Sequence, residues 1–166
     1  KTIGAVIDTL QTLPSFVYLI PVVMLFRIGD FTAMIAIVLY ALAPAVRYAA
    51  HGIRSVSSEL IEAGIMSGCT PTQILVQIRL PLALPNILLG INQTIMLALS
   101  MLVITALVGT RDLGQEVYIA LTRADTGHGI IAGISIAFIA IIADRIVSAS
   151  AKNARIRYGL ETANDN

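Results

Sequence analysis

The chain has 166 residues, of which 57% are hydrophobic and only 13% are charged, and its formal net charge is +1. Soluble domains carry roughly 25% charged residues, so this composition argues against a soluble enzyme and for a protein with several membrane spans. The near balance of charges leaves no basic surface for nucleic acid. With Cys69 as the single cysteine, an internal disulfide and a cysteine-built metal site are excluded.

Four long uncharged runs predict membrane-spanning helices, at residues 9–26, 31–46, 80–110 and 126–143. A helix rises 1.5 Å per residue, so crossing a ~30 Å hydrocarbon core takes about 20 residues, and somewhat shorter spans are tolerated. The predicted fold class is therefore all-α, a polytopic membrane helix bundle in which residues 1–166 form one transmembrane domain. The chain begins at Lys1 rather than Met, and we expect one or more N-terminal spans to be missing.

The basic residues predict the orientation of these spans. Four crossings place the N-terminus, residues 47–83 and residues 148–166 on one side of the membrane, and positive charge near span ends marks the cytoplasmic side. That side holds Lys1, Arg47, Arg54, Arg79, Lys152, Arg155 and Arg157, whereas the opposite side holds Arg27, Arg111 and Arg123. The outer stretch 111–116 is either a short helix or a solvated connection.

The cytoplasmic segment 55–81 differs from the spans in its helix-start and helix-stop signals. Ser57 or Ser58 can cap a helix that begins at Glu59, and Gly68 can end it in the left-handed conformation. Thr70, Pro71 and Gln73 form a capping-box pattern that predicts a second helix, broken at Pro81. Taken by itself, the pattern equally fits two short helices that lie on the membrane.

The residues of this segment resemble the EAA loop of ABC-importer permeases. The family pattern is Glu-Ala-Ala, three residues, Gly, nine residues and Ile-x-Leu-Pro. The chain matches it at Glu62, Ala63, Gly68, Ile78, Leu80 and Pro81, and has Gly64 where the family usually has Ala. The resemblance implies that 55–81 couples the membrane subunit to an ATPase.

Further segments resemble the permeases of importers for glycine betaine, proline betaine or choline, among them LQTLPSFVYLIPVVMLFRIGD, DLGQEV and AFIAIIADRI. The resemblance implies the type I importer (MetI-like) permease fold in a bacterial cytoplasmic membrane. It also implies a homodimer with the translocation path between two copies, a cytoplasmic ATPase that binds ATP and Mg, and an extracytoplasmic binding protein. The chain itself would be no enzyme and would hold no cofactor or metal, and its sequence contains no phosphate-binding GxxxxGK[ST] motif.

Polar side chains inside the third predicted span are candidates for the translocation path. Polar groups at membrane depth usually face protein or water, so they either line the path or bond neighbouring helices. They are Asn92, Gln93, Thr94 and Ser100. Asp144 and Arg145 end the last span, where we expect an ion pair with a neighbouring chain or a headgroup contact.

Two alternative functions stay open at the level of sequence. The EAA pattern names no solute, so the chain could belong to a permease for another small solute, such as methionine or another amino acid. A structural membrane subunit of a respiratory or assembly complex is the rival outside transport. That rival would predict polar cofactor ligands within the spans, for example paired histidines, but the two histidines, His51 and His128, lie singly beside spans.

Overall fold

A computed structural model describes residues 13–159, and this stretch is helical and contains no strand. The all-α prediction is confirmed. A π-helical turn, Ile74–Arg79, leads directly into the α-helix that begins at Leu80, and a 3₁₀ turn, Ala106–Val108, follows that helix. The α-helices are α1 (Ser15–Phe26), α2 (Asp30–Arg54), α3 (Ser58–Met66), α4 (Pro71–Gln73), α5 (Leu80–Thr105), α6 (Leu113–Thr122) and α7 (Thr126–Arg157).

Within residues 13–159, three helical stretches are long and apolar enough to cross a membrane: Asp30–Arg54, Pro71–Val108 and Thr126–Arg157. They contain the second and fourth predicted spans and all but the last two residues of the third, 109–110. The described part of the first predicted span is α1, whose 12 residues cover only about 18 Å. Residues 9–12 of that span lie outside the described residues, so the prediction of four spans stays a prediction.

Two helices run past the ends of the uncharged runs that predicted them. Helix α2 continues to Arg54 and α7 continues to Arg157, although the corresponding runs end at residues 46 and 143. A charged side chain such as Arg47 does not interrupt backbone hydrogen bonding, and arginine is a good helix former. The uncharged run therefore marks the apolar part of a helix and not its ends.

The predicted helix break at Pro81 is wrong. The chain is helical without interruption from Pro71 to Val108. In the π-helical turn before Pro81 the Leu80 N–H donates to the Leu75 carbonyl, five residues back. A proline ring normally clashes with the carbonyl four residues back, and the wider π-helical turn is one of the few arrangements that relieve such a conflict inside a helix.

The described residues form two compact units, 13–43 with 93–143, and 44–92 with 144–159, and α2, α5 and α7 contribute to both. The first unit has a core of four buried side chains, Leu19, Ala36, Met101 and Val108. Tyr18 and Tyr40 in this unit meet edge to face, with ring centroids 5.7 Å apart, a favourable aromatic geometry.

In the second unit, α2 and α5 approach each other closely at two glycines. A Cβ added to Gly52 would lie 2.8 Å from the Asn86 Cβ, and one added to Gly90 would lie 2.7 Å from the Tyr48 Cβ. Small residues of this kind let the backbones of membrane helices approach closely. Glycine is therefore required at both positions for this helix pair to pack as it does.

Candidate functional site

The end of α3 is a Schellman turn centred on Gly68. The Cys69 N–H donates to the Gly64 carbonyl at 3.0 Å, and the Gly68 N–H donates to the Ile65 carbonyl at 2.9 Å. Gly68 has a φ of +77°, the left-handed conformation that glycine adopts without steric cost. The predicted role of Gly68 as helix terminator is confirmed.

The start of α4 has the capping box that the sequence predicted. The Thr70 hydroxyl oxygen accepts from the Gln73 N–H at 3.4 Å, and the Gln73 side-chain oxygen accepts from the Thr70 N–H at 2.8 Å. Pro71 occupies the first helical position, where a missing N–H costs nothing. These two caps fix the sharp connection between α3 and the helix that continues into α5.

Helix α3 packs against the π-helical turn through Gly64. Gly64 is the buried residue of α3, and a Cβ built on it would lie 2.7 Å from the Ile78 Cδ1 and 3.6 Å from the Ile74 Cγ1. The structure thus brings together two residues of the predicted coupling pattern, Gly64 and Ile78. The end of the long isoleucine side chain fills the space that an alanine methyl would need.

The opposite face of α3 is open to solvent. Glu59, Glu62, Ala63 and Met66 recur at helical spacing and are all exposed, Met66 to 90%. Met66 adds a large apolar side chain that can adapt to a partner surface, a feature that the sequence pattern did not single out. The predicted residues Glu62 and Ala63 therefore lie on an exposed face of α3, while Gly64 on the opposite face packs against the π-helical turn.

A cavity of about 450 Å³ lies between α3 and the π-helical turn. The Arg79 Nε is buried and makes no hydrogen bond to any described residue, so Arg79 brings a cation to an otherwise apolar cavity. The sequence pattern gave Arg79 no role. Leu80 is exposed and Pro81 is half-buried at the start of α5. The cavity is lined by Ile61, Ile65, Cys69, Pro71, Ile74, Leu75 and Arg79.

The four polar residues predicted for the third span are in different surroundings. The Asn92 side chain donates to the Asp144 carboxylate at 2.7 Å, which joins α5 to α7. The Ser100 hydroxyl donates to the Met96 carbonyl of its own helix at 2.9 Å. Gln93 is exposed and Thr94 is half-buried. Asn92 thus bonds a neighbouring helix through Asp144, and the expected contact of Asp144 and Arg145 with a neighbouring chain or a headgroup stays a prediction.

The stretch after residue 110, which the sequence predicts to lie on the outer side, contains a short helix, α6. The Asp112 carboxylate caps it by accepting from the Gln115 N–H at 3.0 Å. Glu116 of α6 pairs with His128 of α7 at 2.8 Å, and the Asp30 carboxylate accepts from the Arg111 N–H at 3.0 Å. The sequence left open whether this stretch is a short helix or a solvated connection, and the structure contains the helix. The sequence alone could not predict contacts between residues far apart in the chain, such as Glu116 and His128.

Comparison with known proteins finds one family over most of the chain. Residues 1–156 match the family described as the binding-protein-dependent transport system inner membrane component. The glycine betaine/carnitine transport permease protein GbuB of Listeria monocytogenes is 49% identical over 150 residues, which cover 90% of this chain and 53% of the relative. The glycine betaine/proline betaine transport system permease protein ProW of Escherichia coli is 43% identical, covering 95% and 44%. The chain spans about half the length of these curated relatives.

Among solved structures, the chain resembles one of the MetNI methionine ABC transporter in an inward-facing conformation. The TM-score is 0.81 at 19% sequence identity, and the match covers 92% of this chain and 74% of the other. At this low identity the likeness concerns the fold alone. It confirms the prediction of the type I importer permease fold.

Proposed function

Because the chain belongs to the family of binding-protein-dependent transport system inner membrane components, we propose that it is the permease subunit of an ATP-driven importer of quaternary ammonium osmolytes. The protein is a multi-pass protein of the inner membrane. The names of its relatives include glycine betaine, carnitine and proline betaine, all of which carry a permanently charged ammonium group and a carboxylate. We assign this class of solute to the importer.

The free face of α3 is the observation that carries the proposal. In our account Glu62, Ala63 and Met66 enter a groove on a cytoplasmic ATPase, while Gly64 and Ile78 hold α3 against the π-helical turn. The helical stretch Pro71–Val108 begins at this contact and is long enough to cross the membrane. A push on α3 is thereby passed into a spanning helix without an intervening loop, as rigid-body alternation between inward-open and outward-open states requires.

We assign ATP hydrolysis and solute selection to partner proteins. ATP hydrolysis belongs to the separate ATPase subunit, which binds ATP and Mg, so this subunit needs no cofactor and performs no chemistry. A quaternary ammonium group is usually recognised by an aromatic cage, yet the chain is 5% aromatic with no Trp. Solute selection therefore falls to an extracytoplasmic binding protein, and two permease copies form the path.

Gln93, Thr94 and Ser100 are proposed to line this path. Gln93 and Ser100 are exposed on α5, as polar residues facing a water-filled path would be. Asn92 is assigned a supporting role, because its amide is bound to Asp144.

The proposal is tested by solute uptake into proteoliposomes that hold the full-length protein with its ATPase, with ATP inside and the binding protein outside. We expect ATP-dependent uptake of radiolabelled glycine betaine and none of radiolabelled methionine. Ala63→Arg puts a bulky cation on the free face of α3, so uptake should fall at least tenfold, while the amount of protein in the membrane is unchanged.

Gln77→Arg is the matched control, because Gln77 is exposed in the π-helical turn and lies outside the free face of α3. It should keep most of the uptake. Methionine uptake in place of betaine uptake would contradict the solute class and leave the coupling intact. Equal uptake by the Ala63→Arg variant and the unmodified protein would contradict the coupling.

A further inference from the structure

A groove of about 360 Å³ separates α5 and α7 within the second unit. Leu84 and Leu88 on α5 and Ala154 on α7 give it an apolar floor, since the two leucines are half-buried and Ala154 is buried. Asn153 and Arg157 of α7, together with Tyr158 directly after the helix, stand at its rim. The groove thus combines a hydrocarbon surface with a polar edge.

Asn153 and Arg157 share one face of α7 because they are four residues apart. Tyr158 follows the last residue of the helix and also lines the groove. Arg157 and Asn153 are exposed, and their side chains can donate several hydrogen bonds. The Ser150 hydroxyl also borders the groove but donates to the Ile146 carbonyl at 2.8 Å. The donors that the rim offers to a ligand are thus a guanidinium, an amide and a phenol.

The charge of this part of α7 has one sign. Residues 145–159 contain Arg145, Lys152, Arg155 and Arg157 and no Asp or Glu. Their side of the membrane is the cytoplasmic one by the distribution of basic residues, and the cytoplasmic leaflet carries anionic lipids. The rim and the leaflet that surrounds it are therefore complementary in charge.

We propose that this groove binds one anionic phospholipid of the cytoplasmic leaflet. The phosphate accepts hydrogen bonds from Arg157 and Asn153, and one acyl chain lies along Leu84 and Leu88. Guanidinium suits this contact because its planar donors match the oxygens of a phosphate. A zwitterionic lipid fits the floor equally well but gains less from the rim, so the site prefers anionic headgroups. The proposal does not depend on which solute the protein transports.

The absence of Trp from the chain allows a direct test by fluorescence quenching. Leu88→Trp adds a fluorophore on the floor of the groove, and the fluorescence and quenching of the unmodified complex are subtracted from those of the variant. The full-length protein, in its complex with the ATPase, is reconstituted in bilayers with brominated acyl chains on either phosphatidylglycerol or phosphatidylcholine. We expect brominated phosphatidylglycerol to bind with about fivefold preference, the factor that one basic residue near a lipid surface supplies. Leu84→Trp repeats the measurement at the second leucine.

Variants at Arg157 identify the source of the preference. On the Leu88→Trp background, Arg157→Gln should bring the preference close to one, and Arg157→Lys should retain most of it. Arg123→Gln is the matched control, because Arg123 is an exposed arginine on the opposite side of the membrane, and it should change nothing. Equal quenching by both lipids, quenching by neither because protein covers the groove, or a preference that survives Arg157→Gln would each overturn the proposal.

Discussion

At the scale of single residues, the two glycines of the coupling pattern serve different physical needs. Gly68 has a positive φ, and no described atom lies within 4 Å of the place where its Cβ would be. It is required for backbone conformation alone. Gly64 has ordinary helical geometry, but a Cβ there would press on the tip of Ile78. Since that tip can rotate away, alanine is tolerable at residue 64 and strained at residue 68.

We expect Gly68→Ala to destabilise the turn by about 1 kcal/mol, the cost of a left-handed non-glycine residue. Amide hydrogen exchange over residues 58–74 should then become faster. Gly133→Ala is the control: Gly133 lies inside α7 with no described neighbour within 4 Å, so alanine should leave exchange unchanged or slower. Unchanged exchange in the Gly68→Ala protein would contradict the assigned role of Gly68.

The bond between Asn92 and Asp144 should be visible as an energetic coupling. Asn92→Ala removes the 2.7 Å donor of a half-buried carboxylate, which keeps the longer 3.5 Å bond from the Ser148 hydroxyl, and the expected loss is about 1–3 kcal/mol. Removing both side chains should cost less than the sum of the two single changes. A double-mutant cycle on thermal unfolding in detergent measures this, and strictly additive effects of Asn92→Ala and Asp144→Ala would rule out the coupling.

The bond between Asn92 and Asp144 also shows which contacts the sequence alone can predict at this scale. The local signals were predicted correctly, because the Gly68 turn and the Thr70–Gln73 capping box depend on residues within a few positions of each other. The partner of Asn92 lies 52 residues away, and periodicity holds no information about such a pair. The contact between Glu116 and His128 was out of reach for the same reason.

At the scale of elements, the close packing of α2 against α5 depends on Gly52 and Gly90. Each of these glycines faces atoms of the other helix that cannot move aside. A Cβ added to Gly52 or to Gly90 would lie 2.8 Å or 2.7 Å from a Cβ of the other helix, and that Cβ cannot move unless its helix moves too. Any larger side chain must therefore separate the helices.

We expect Gly52→Ala and Gly90→Ala each to destabilise the protein by about 1–3 kcal/mol through overpacking. Both should lower the thermal unfolding temperature in detergent, even though alanine is the better helix former. Gly133→Ala serves again as the reference without a neighbour. An unfolding temperature at or above that of the unmodified protein would contradict this packing.

Sequence reasoning at this scale located the elements and misjudged their ends. Hydrophobicity reports where a helix meets lipid, so the predicted spans stopped near Arg47 and Asp144 while the helices continue to Arg54 and Arg157. A helix break was predicted at Pro81 because a proline ring normally clashes with the carbonyl four residues back in an α-helix. The π-helical turn at Ile74–Arg79 has no comparable signature in the sequence.

At the scale of the whole molecule, the helices keep apolar side chains on their outside. Ile131, Ile134, Phe138 and Ile142 form one stripe along α7, and each is at least half exposed. Such a stripe needs lipid or another protein chain against it, in agreement with an inner-membrane location. The class of protein was predictable from the sequence, because a helix that crosses the bilayer needs a long apolar run with few charges. The solute class came only from the resemblance of segments such as DLGQEV to known permeases, because composition and hydropathy report contact with lipid and not with solute.

The most direct test of the central claim, that α3 and its turn dock on a cytoplasmic ATPase, uses the single cysteine. Cys69 follows Gly68 immediately and is half-buried. A membrane-impermeant maleimide is applied to right-side-out and inside-out vesicles that hold the full-length protein or its Cys69→Ser variant, with and without the ATPase, alongside a denatured sample. Labelling that the Cys69→Ser variant retains is subtracted. We expect labelling only in inside-out vesicles, reduced when the ATPase is present. Labelling from the outside, or inside labelling that the ATPase leaves unchanged, would contradict the claim.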